Sequence, residues 1–144
     1  GARTLLHNGP VARKDLVGLF NLDMLAIAPA GTPVAVIGWD GGGFDTAIAR
    51  VMSEQGLTRS DNPLADTFLR RQDGWVFLDA GLPARIVNSS YGDEWALKAF
   101  LANSYHSPSD RYSPTMELGG AAQDIRLHIA LGRHFADTHL YPVD

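Results

Sequence analysis

Apolar residues occur in short continuous runs and at helical spacing along this chain of 144 residues. Three apolar runs have the length of buried strands, and they cover residues 18–23, 33–38 and 84–88. Apolar residues at helical spacing predict helices over residues 44–55, 74–80, 94–102 and 118–139. Because strands separated by helices pack as layers, this pattern predicts an α/β fold with a sheet flanked by helices.

The last predicted helix carries a stripe of small and apolar residues, which is typical of the apolar face of an amphipathic helix. Its members are Leu118, Ala122, Ile125, Ile129, Gly132 and Ala136. The polar stretch 57–70 is predicted to be a surface connection, and its conformation is left open. Residues 1–17 are interpreted as a leader segment of uncertain order, and residues 18–144 as a single α/β domain.

The composition, with 45% hydrophobic and 19% charged residues, is that of a globular domain. The net charge is −4 and no basic cluster is present, so we expect neither nucleic acid nor an anionic membrane as a partner. The longest uncharged apolar stretch, residues 24–39, contains two prolines and is shorter than the ~20 residues that span a bilayer. Cysteine is absent, so any metal must be bound by histidine and carboxylate.

Several local motifs do not predict a specific site. The glycine turn at 41–43 lacks the Lys-Ser/Thr of a P-loop and the Gly-x-Gly-x-x-Gly pattern, so a nucleotide site is disfavoured there. Residues 88–90, Asn-Ser-Ser, fit a glycosylation acceptor pattern that occurs by chance in most chains. The histidines of the last predicted helix do not share one face, and they are interpreted as ordinary helix residues: His128, His134 and His139.

Two residues stand in places that favour metal binding. His106 follows an aromatic residue in a turn made rigid by Pro108, and Asp110 is near enough in sequence to orient its ring, as carboxylates do for metal-bound histidines. Asp23 ends a predicted buried strand, at the edge where open α/β sheets place their ligands. The alternative for each is structural: a strand-end cap for Asp23 and an ordinary turn residue for His106.

Three motifs together resemble the C-terminal half of the two-zinc aminopeptidase family, which includes bacterial leucine aminopeptidases and their carboxypeptidase relatives. They are NLDM at 21–24, RQDGWVFLDAGLPA at 71–84 and YHSPSDRYSP at 105–114. The resemblance implies an α/β zinc exopeptidase fold with a mixed central sheet, and hydrolysis of peptides by a water shared between two zinc ions. It also suggests a periplasmic or extracellular location, and it leaves open whether the enzyme is an amino- or a carboxypeptidase.

The resemblance also implies roles for individual residues. Asp23 matches the ligand of one zinc, His106 matches a ligand of the other, and Tyr105 matches a tyrosine that stabilises the oxyanion. Asp110 is expected to orient His106. Arg71 and Asp73 match a conserved segment of the substrate pocket, although the family's serine and histidine are replaced there by glutamine and glycine.

The family's remaining elements are missing from this sequence. No His-x-Asp pair and no Glu-Glu pair is present, so the chain is expected to be a fragment of a larger catalytic domain and to be inactive alone. With one ligand per zinc, we expect weak zinc binding or none. The missing N-terminal half is the expected partner, and the exposed sheet edge that its loss leaves predicts a homo-oligomer. The alternative is a non-catalytic α/β domain that binds a protein.

Overall fold

The computed structural model of the chain describes residues 1–142. The α-helices in these residues are α1 (Ala2–Asn8), α2 (Gly43–Glu54), α3 (Trp75–Asp79), α4 (Glu94–Asn103) and α5 (Gly119–Ala136). The strands are β1 (Leu19–Asn21), β2 (Ala35–Ile37) and β3 (Ala84–Asn88). Two 3₁₀ helices cover Arg13–Asp15 and Ala65–Arg71. The predicted strands and helices are therefore present, and the second 3₁₀ helix begins inside the polar connection.

The three strands form a mixed sheet in the order β1-β3-β2, with β3 in the centre. β1 runs parallel to β3, with Leu19 opposite Ala84 and Asn21 opposite Ile86. β2 runs antiparallel to β3. The prediction of an α/β sheet flanked by helices is confirmed at this level of detail.

Alternate residues of the central strand point to opposite faces of the sheet, and each face has its own core. Val87 belongs to the core formed with α2 and α5, which also contains Phe44, Leu127 and Leu131. Ile86 belongs to the core on the other face, where the 3₁₀ helix Ala65–Arg71 and α4 pack. β2 and β3 are fully buried, whereas β1 is only half-buried.

The predicted stripe of α5 faces solvent. All six of its members are exposed, and Ile125 and Ile129 are each 51% accessible. The buried side of the helix contains Leu127, Leu131 and Phe135 together with the polar Gln123 and Asp124. Apolar residues occur on both sides of this helix, and the side that packs is not the more uniformly apolar one that the spacing favoured.

Hydrogen bonds to distant backbone fix the orientation of α5. Both Asp124 carboxylate oxygens accept from the Ser89 amide, at 2.9 and 3.0 Å. Gln123 accepts from the Gly31 amide at 2.8 Å and donates to the Thr32 carbonyl at 3.0 Å. Because buried polar groups need partners, these contacts turn Gln123 and Asp124 inwards and the apolar stripe outwards.

The N-terminal segment packs on the rest of the chain through several apolar side chains, which include Ala2 and Leu16. Leu6 of α1 is buried in a small cluster with Phe77 and Ala84. Within residues 1–142, no helix is both long enough and apolar enough to cross a membrane.

Candidate functional site

The strand pairing brings Asp23 to the end of the central strand. β1 and β3 are parallel and Asn21 is opposite Ile86, so their carboxyl ends lie at the same edge of the sheet. Asn88, the last residue of β3, donates through Nδ2 to the Asp23 carbonyl at 2.7 Å. This edge is the usual position of ligand sites in open α/β sheets.

His106 is held by a serine-rich turn that follows α4. The helix begins at an N-cap, Asp93, whose carboxylate accepts from the Ala96 amide at 2.9 Å. After the helix, the Ser107 hydroxyl donates to the Ser104 carbonyl at 2.7 Å. The Ser109 hydroxyl donates to the carbonyl of the last helical residue at 3.0 Å. These bonds tie the turn to the end of α4.

Asp23, Tyr105, His106 and Asp110 line a single cleft of about 360 Å³, which we call the Asp23–His106 cleft. Its other lining residues belong mainly to the segment after Asp23 and to α4: Met24, Leu25, Ala26, Ile27, Phe100 and Met116. The Tyr105 and His106 rings are stacked, with centroids 3.8 Å apart and planes inclined by 20°. Four residues predicted from sequence are therefore neighbours in space.

Two residues of this cleft have unusual backbone conformations. Met24 and His106 both have φ of 56°, and within residues 1–142 they are the non-glycine residues with positive φ. Side chains with a Cβ enter this region at a cost of about 1–3 kcal/mol, and such residues cluster at functional sites. One strained position is His106 itself, and the other directly follows Asp23.

Asp110 lines the cleft without orienting His106 directly. Its backbone amide donates to the Ser107 carbonyl at 3.0 Å, and no hydrogen bond joins its carboxylate to the His106 ring in the described part of the chain. The orientation of the ring is instead associated with stacking on Tyr105.

Arg71 and Asp73 line a second, more open cleft of about 560 Å³, which we call the Arg71 cleft. Asp23 lines both clefts and therefore lies between them. The Arg71 guanidinium lies 5.0 Å from the centroid of the Phe68 ring.

Glutamine and glycine at positions 72 and 74 fit each other. The Gln72 side-chain oxygen accepts from the Gly74 amide at 2.6 Å and from the Asn21 side chain at 3.2 Å. A Cβ at position 74 would lie 2.6 Å from that oxygen. The two departures from the family motif thus form one local arrangement that ties the Arg71 cleft to the end of β1.

Two buried residues beneath the cleft were not predicted as site residues. Asn88 and Tyr91 are almost inaccessible to solvent. Asn88 lies in the Asn-Ser-Ser pattern, but its amide is buried and bonded to Asp23, so the folded chain offers no glycosylation acceptor there. The polar residue that follows the apolar pair Ile86 and Val87 at the end of β3 was the available signal.

The glycine turn before α2 binds a carboxylate of its own chain. Asp45 Oδ2 accepts from the Asp40 amide at 2.6 Å and from the Gly41 amide at 2.8 Å. A phosphate at this turn would compete with that carboxylate for the same two amides.

The donor types of the Asp23–His106 cleft fit zinc, because imidazole nitrogen and carboxylate oxygen are both common zinc ligands. Within residues 1–142, no group of three or more His, Asp or Glu residues is placed so that it could hold a metal ion. Zinc at this cleft would therefore need further ligands from elsewhere.

No protein-family model matches this chain, and neither the curated proteins nor the solved structures contain a significant match.

Proposed function

We propose that this chain supplies Asp23 and His106 as ligands to two neighbouring zinc ions in a peptide-hydrolysing enzyme of the two-zinc aminopeptidase type. Residues 18–144 would be the C-terminal portion of its zinc exopeptidase domain. The remaining ligands and the general base would come from the missing N-terminal half. Alone, the chain is expected to be inactive.

The observation that carries this proposal is the convergence of Asp23 and His106 on one cleft, although they lie far apart in sequence. The cleft is at the carboxyl edge of parallel strands, and strained backbone occurs at His106 and next to Asp23. Strain persists only where the surrounding structure enforces it. An ordinary strand-end cap and an ordinary turn residue do not account for this combination.

Zinc ions held at Asp23 and His106 would polarise a peptide carbonyl and lower the pKa of a bound water. In this chain, Asp23 offers carboxylate oxygens and His106 offers a ring nitrogen at the cleft wall. The Tyr105 hydroxyl would donate a hydrogen bond to a carbonyl oxygen as it gains negative charge, which is the role of an oxyanion donor. Stacking on Tyr105 limits rotation of the His106 ring.

Zinc titration of the chain, followed by NMR at the His106 ring and the Asp23 amide, tests the proposal. We expect weak binding that perturbs both residues and that is lost in Asp23→Asn and in His106→Ala. The exposed residues Asp61 and His7 provide matched controls, Asp61→Asn and His7→Ala, which should leave the titration unchanged. Zinc that perturbs other residues only would contradict the proposal.

An activity measurement on the full-length protein complements the titration. We expect zinc-dependent hydrolysis of aminoacyl chromogenic substrates, reduced at least ~10²-fold by Asp23→Asn, the scale of losing a catalytic group. The 144-residue chain alone should show no turnover. Hydrolysis by the chain alone that depends on Asp23 would contradict the proposed division of the site between two halves.

One observation favours a second candidate, a non-catalytic domain that binds a protein. The exposed stripe of α5 carries Ile125 and Ile129 one turn apart on the surface. Contiguous apolar surface of this kind is typical of interaction sites. This candidate predicts partner binding that is insensitive to zinc and is lost in Ile125→Glu but not in His106→Ala.

A further inference from the structure

The backbone that carries Asp23 is held from below by two buried residues. The Asn88 side-chain amide donates to the Asp23 carbonyl at 2.7 Å, and its oxygen accepts from the Tyr91 amide at 3.2 Å. The Tyr91 hydroxyl donates to the Met24 sulfur at 3.4 Å. The Asp23 carbonyl and the Met24 side chain are therefore both hydrogen-bonded to residues at or just after the end of the central strand.

This contact coincides with the strained position. Met24 has φ of 56°, a conformation that a residue with a Cβ adopts only when its surroundings compensate for the cost. The Asp23 carboxylate itself is exposed to the cleft. The hydrogen bonds to the Asp23 carbonyl and to the Met24 side chain can therefore keep the turn in this conformation, together with the packing of Met24 on the core that contains Ile86.

Asn88 and Tyr91 are themselves rigidly placed. Asn88 lies opposite Ala35 in the sheet and is fully buried. The Tyr91 ring packs edge-on against Phe68, with centroids 5.1 Å apart. Burial raises the pKa of the Tyr91 hydroxyl, and the nearby Asp23 carboxylate raises it further, so the hydroxyl keeps its proton and remains a donor.

We propose that Asn88 and Tyr91 are positioning residues that hold the Asp23–Met24 turn in its left-handed conformation and thereby present the Asp23 carboxylate to the cleft. The consequence for metal binding rests on the proposed zinc function. The conformational part does not, because it concerns contacts within this chain only.

NMR on the 144-residue chain tests the conformational part. A positive φ at Met24 gives a strong NOE between its amide and α protons. We expect Asn88→Asp, which keeps the side-chain size but removes the amide donor, to weaken this NOE several-fold. Tyr91→Phe, which keeps the ring but removes the hydroxyl, should weaken it less. The controls Asn8→Asp and Tyr112→Phe change exposed side chains and should leave it unchanged.

Zinc affinity provides a separate measurement. Residues that support a metal ligand typically change affinity by about 10- to 100-fold when mutated, and we expect weakening of that size in Asn88→Asp. Adding Met24→Gly should restore part of the lost affinity, because glycine adopts positive φ without a side-chain penalty. General destabilisation of the fold would not be corrected in this way.

The outcomes separate the two proposals. An unchanged Met24 NOE in a folded Asn88→Asp variant overturns the positioning role, whatever zinc does. If Asn88→Asp does not fold, Tyr91→Phe decides the conformational part by the same NOE. A lost NOE with unchanged zinc affinity overturns the link to the metal. Zinc that perturbs only residues other than Asp23 and His106 in the unmodified chain contradicts the proposed function, while the NOE still decides the role of Asn88.

Discussion

Asp124 shows how a single buried residue can make the stability of this chain depend on pH. Burial raises the pKa of its carboxyl group, and hydrogen bonds from the Ser89 amide and hydroxyl offset only part of that effect. A raised pKa in the folded state means that folding favours the protonated form. The stabilisation is complete below the ordinary value of 3.8 and is lost as the pH rises through the folded pKa.

Asp124→Asn is therefore expected to stabilise the chain more at pH 7 than at pH 4. Asparagine keeps an oxygen for the Ser89 amide and does not carry a charge into the core. Chemical denaturation at the two pH values gives the comparison. The exposed substitution Asp61→Asn is the control, and an equal effect of Asp124→Asn at both pH values would show that the buried charge is not responsible.

His128 produces the opposite dependence on pH. Burial lowers the pKa of its imidazole, although the hydrogen bond between Nε2 and the Val87 carbonyl, 2.6 Å long, partly opposes this. Its stabilisation is present above the ordinary value of 6.5 and is lost as the pH falls through the folded pKa. We expect His128→Gln, which keeps a donor for Val87, to reduce the loss of unfolding free energy between pH 7 and pH 5. His7→Gln should leave that loss as it is.

At the scale of elements, one ion pair joins helix α2 to the central strand. Arg85 Nε donates to Asp45 Oδ1 at 2.6 Å, and both side chains are buried. Burial alone raises the pKa of Asp45, but hydrogen bonds from Arg85 and from the Asp40 and Gly41 amides hold it below its usual range. The same carboxylate organises the glycine turn, so the pair fixes both the turn and the start of α2.

Removal of one member of this pair should be far more costly than removal of a surface ion pair. Asp45→Asn is expected to lower the free energy of unfolding by about 3–5 kcal/mol, because the buried Arg85 loses its buried partner and keeps only the largely exposed Asp40 carboxylate, 3.1 Å away. Glu54→Gln breaks the exposed pair with Arg50 and should cost no more than about 0.5 kcal/mol. Equal effects in urea denaturation would contradict the assigned role of the buried pair.

At the scale of the whole molecule, the sheet has an edge at which a strand of another chain could pair. β1 pairs only with β3 among the described residues, and its other edge lacks a strand partner there. Unpaired strand edges are templates for pairing with another chain. We expect the 144-residue chain to self-associate, with a mean mass that rises with concentration in sedimentation equilibrium.

A proline in the edge strand provides the test of where association occurs. Phe20→Pro removes a backbone donor from the strand, but it should also disturb the pairing of β1 with β3. Asn21→Lys only adds a charge at the edge and is therefore the milder variant. Both should reduce self-association. Glu54→Lys, on an exposed helix surface, is the control for added positive charge. A monomer at every concentration would argue for a self-sufficient domain.

Local signals in the sequence determined the elements and some of their ends. The apolar runs specified the three strands, and Asp93 specified the start of α4 through its side-chain cap. Gly56 and Gly81 follow α2 and α3 with φ of 70° and 78°, the conformation that glycine adopts most easily. These features depend only on residues that are close in sequence, so they can be predicted from the sequence.

The candidate residues were also visible in the sequence, whereas their arrangement was not. Asp23 and His106 could be named from motifs, but the parallel pairing of β1 with β3 and the turn after α4 bring them to one cleft. Asn88 was missed because its role depends on a bond to Asp23, 65 positions away. Periodicity contains no information about such a contact.

Tertiary structure alone decided which side of α5 is buried. Its sequence offers an apolar stripe containing Ile125 and Ile129, and a second side that mixes Leu127 and Leu131 with Asp124. Spacing favoured the first, which is the more uniformly apolar. The second side is buried because Asp124 accepts hydrogen bonds from the Ser89 amide and hydroxyl, and Gln123 accepts one from the Gly31 amide. Hydrogen bonds between distant segments outweighed local hydrophobic pattern, since they satisfy polar groups that only the folded chain brings together.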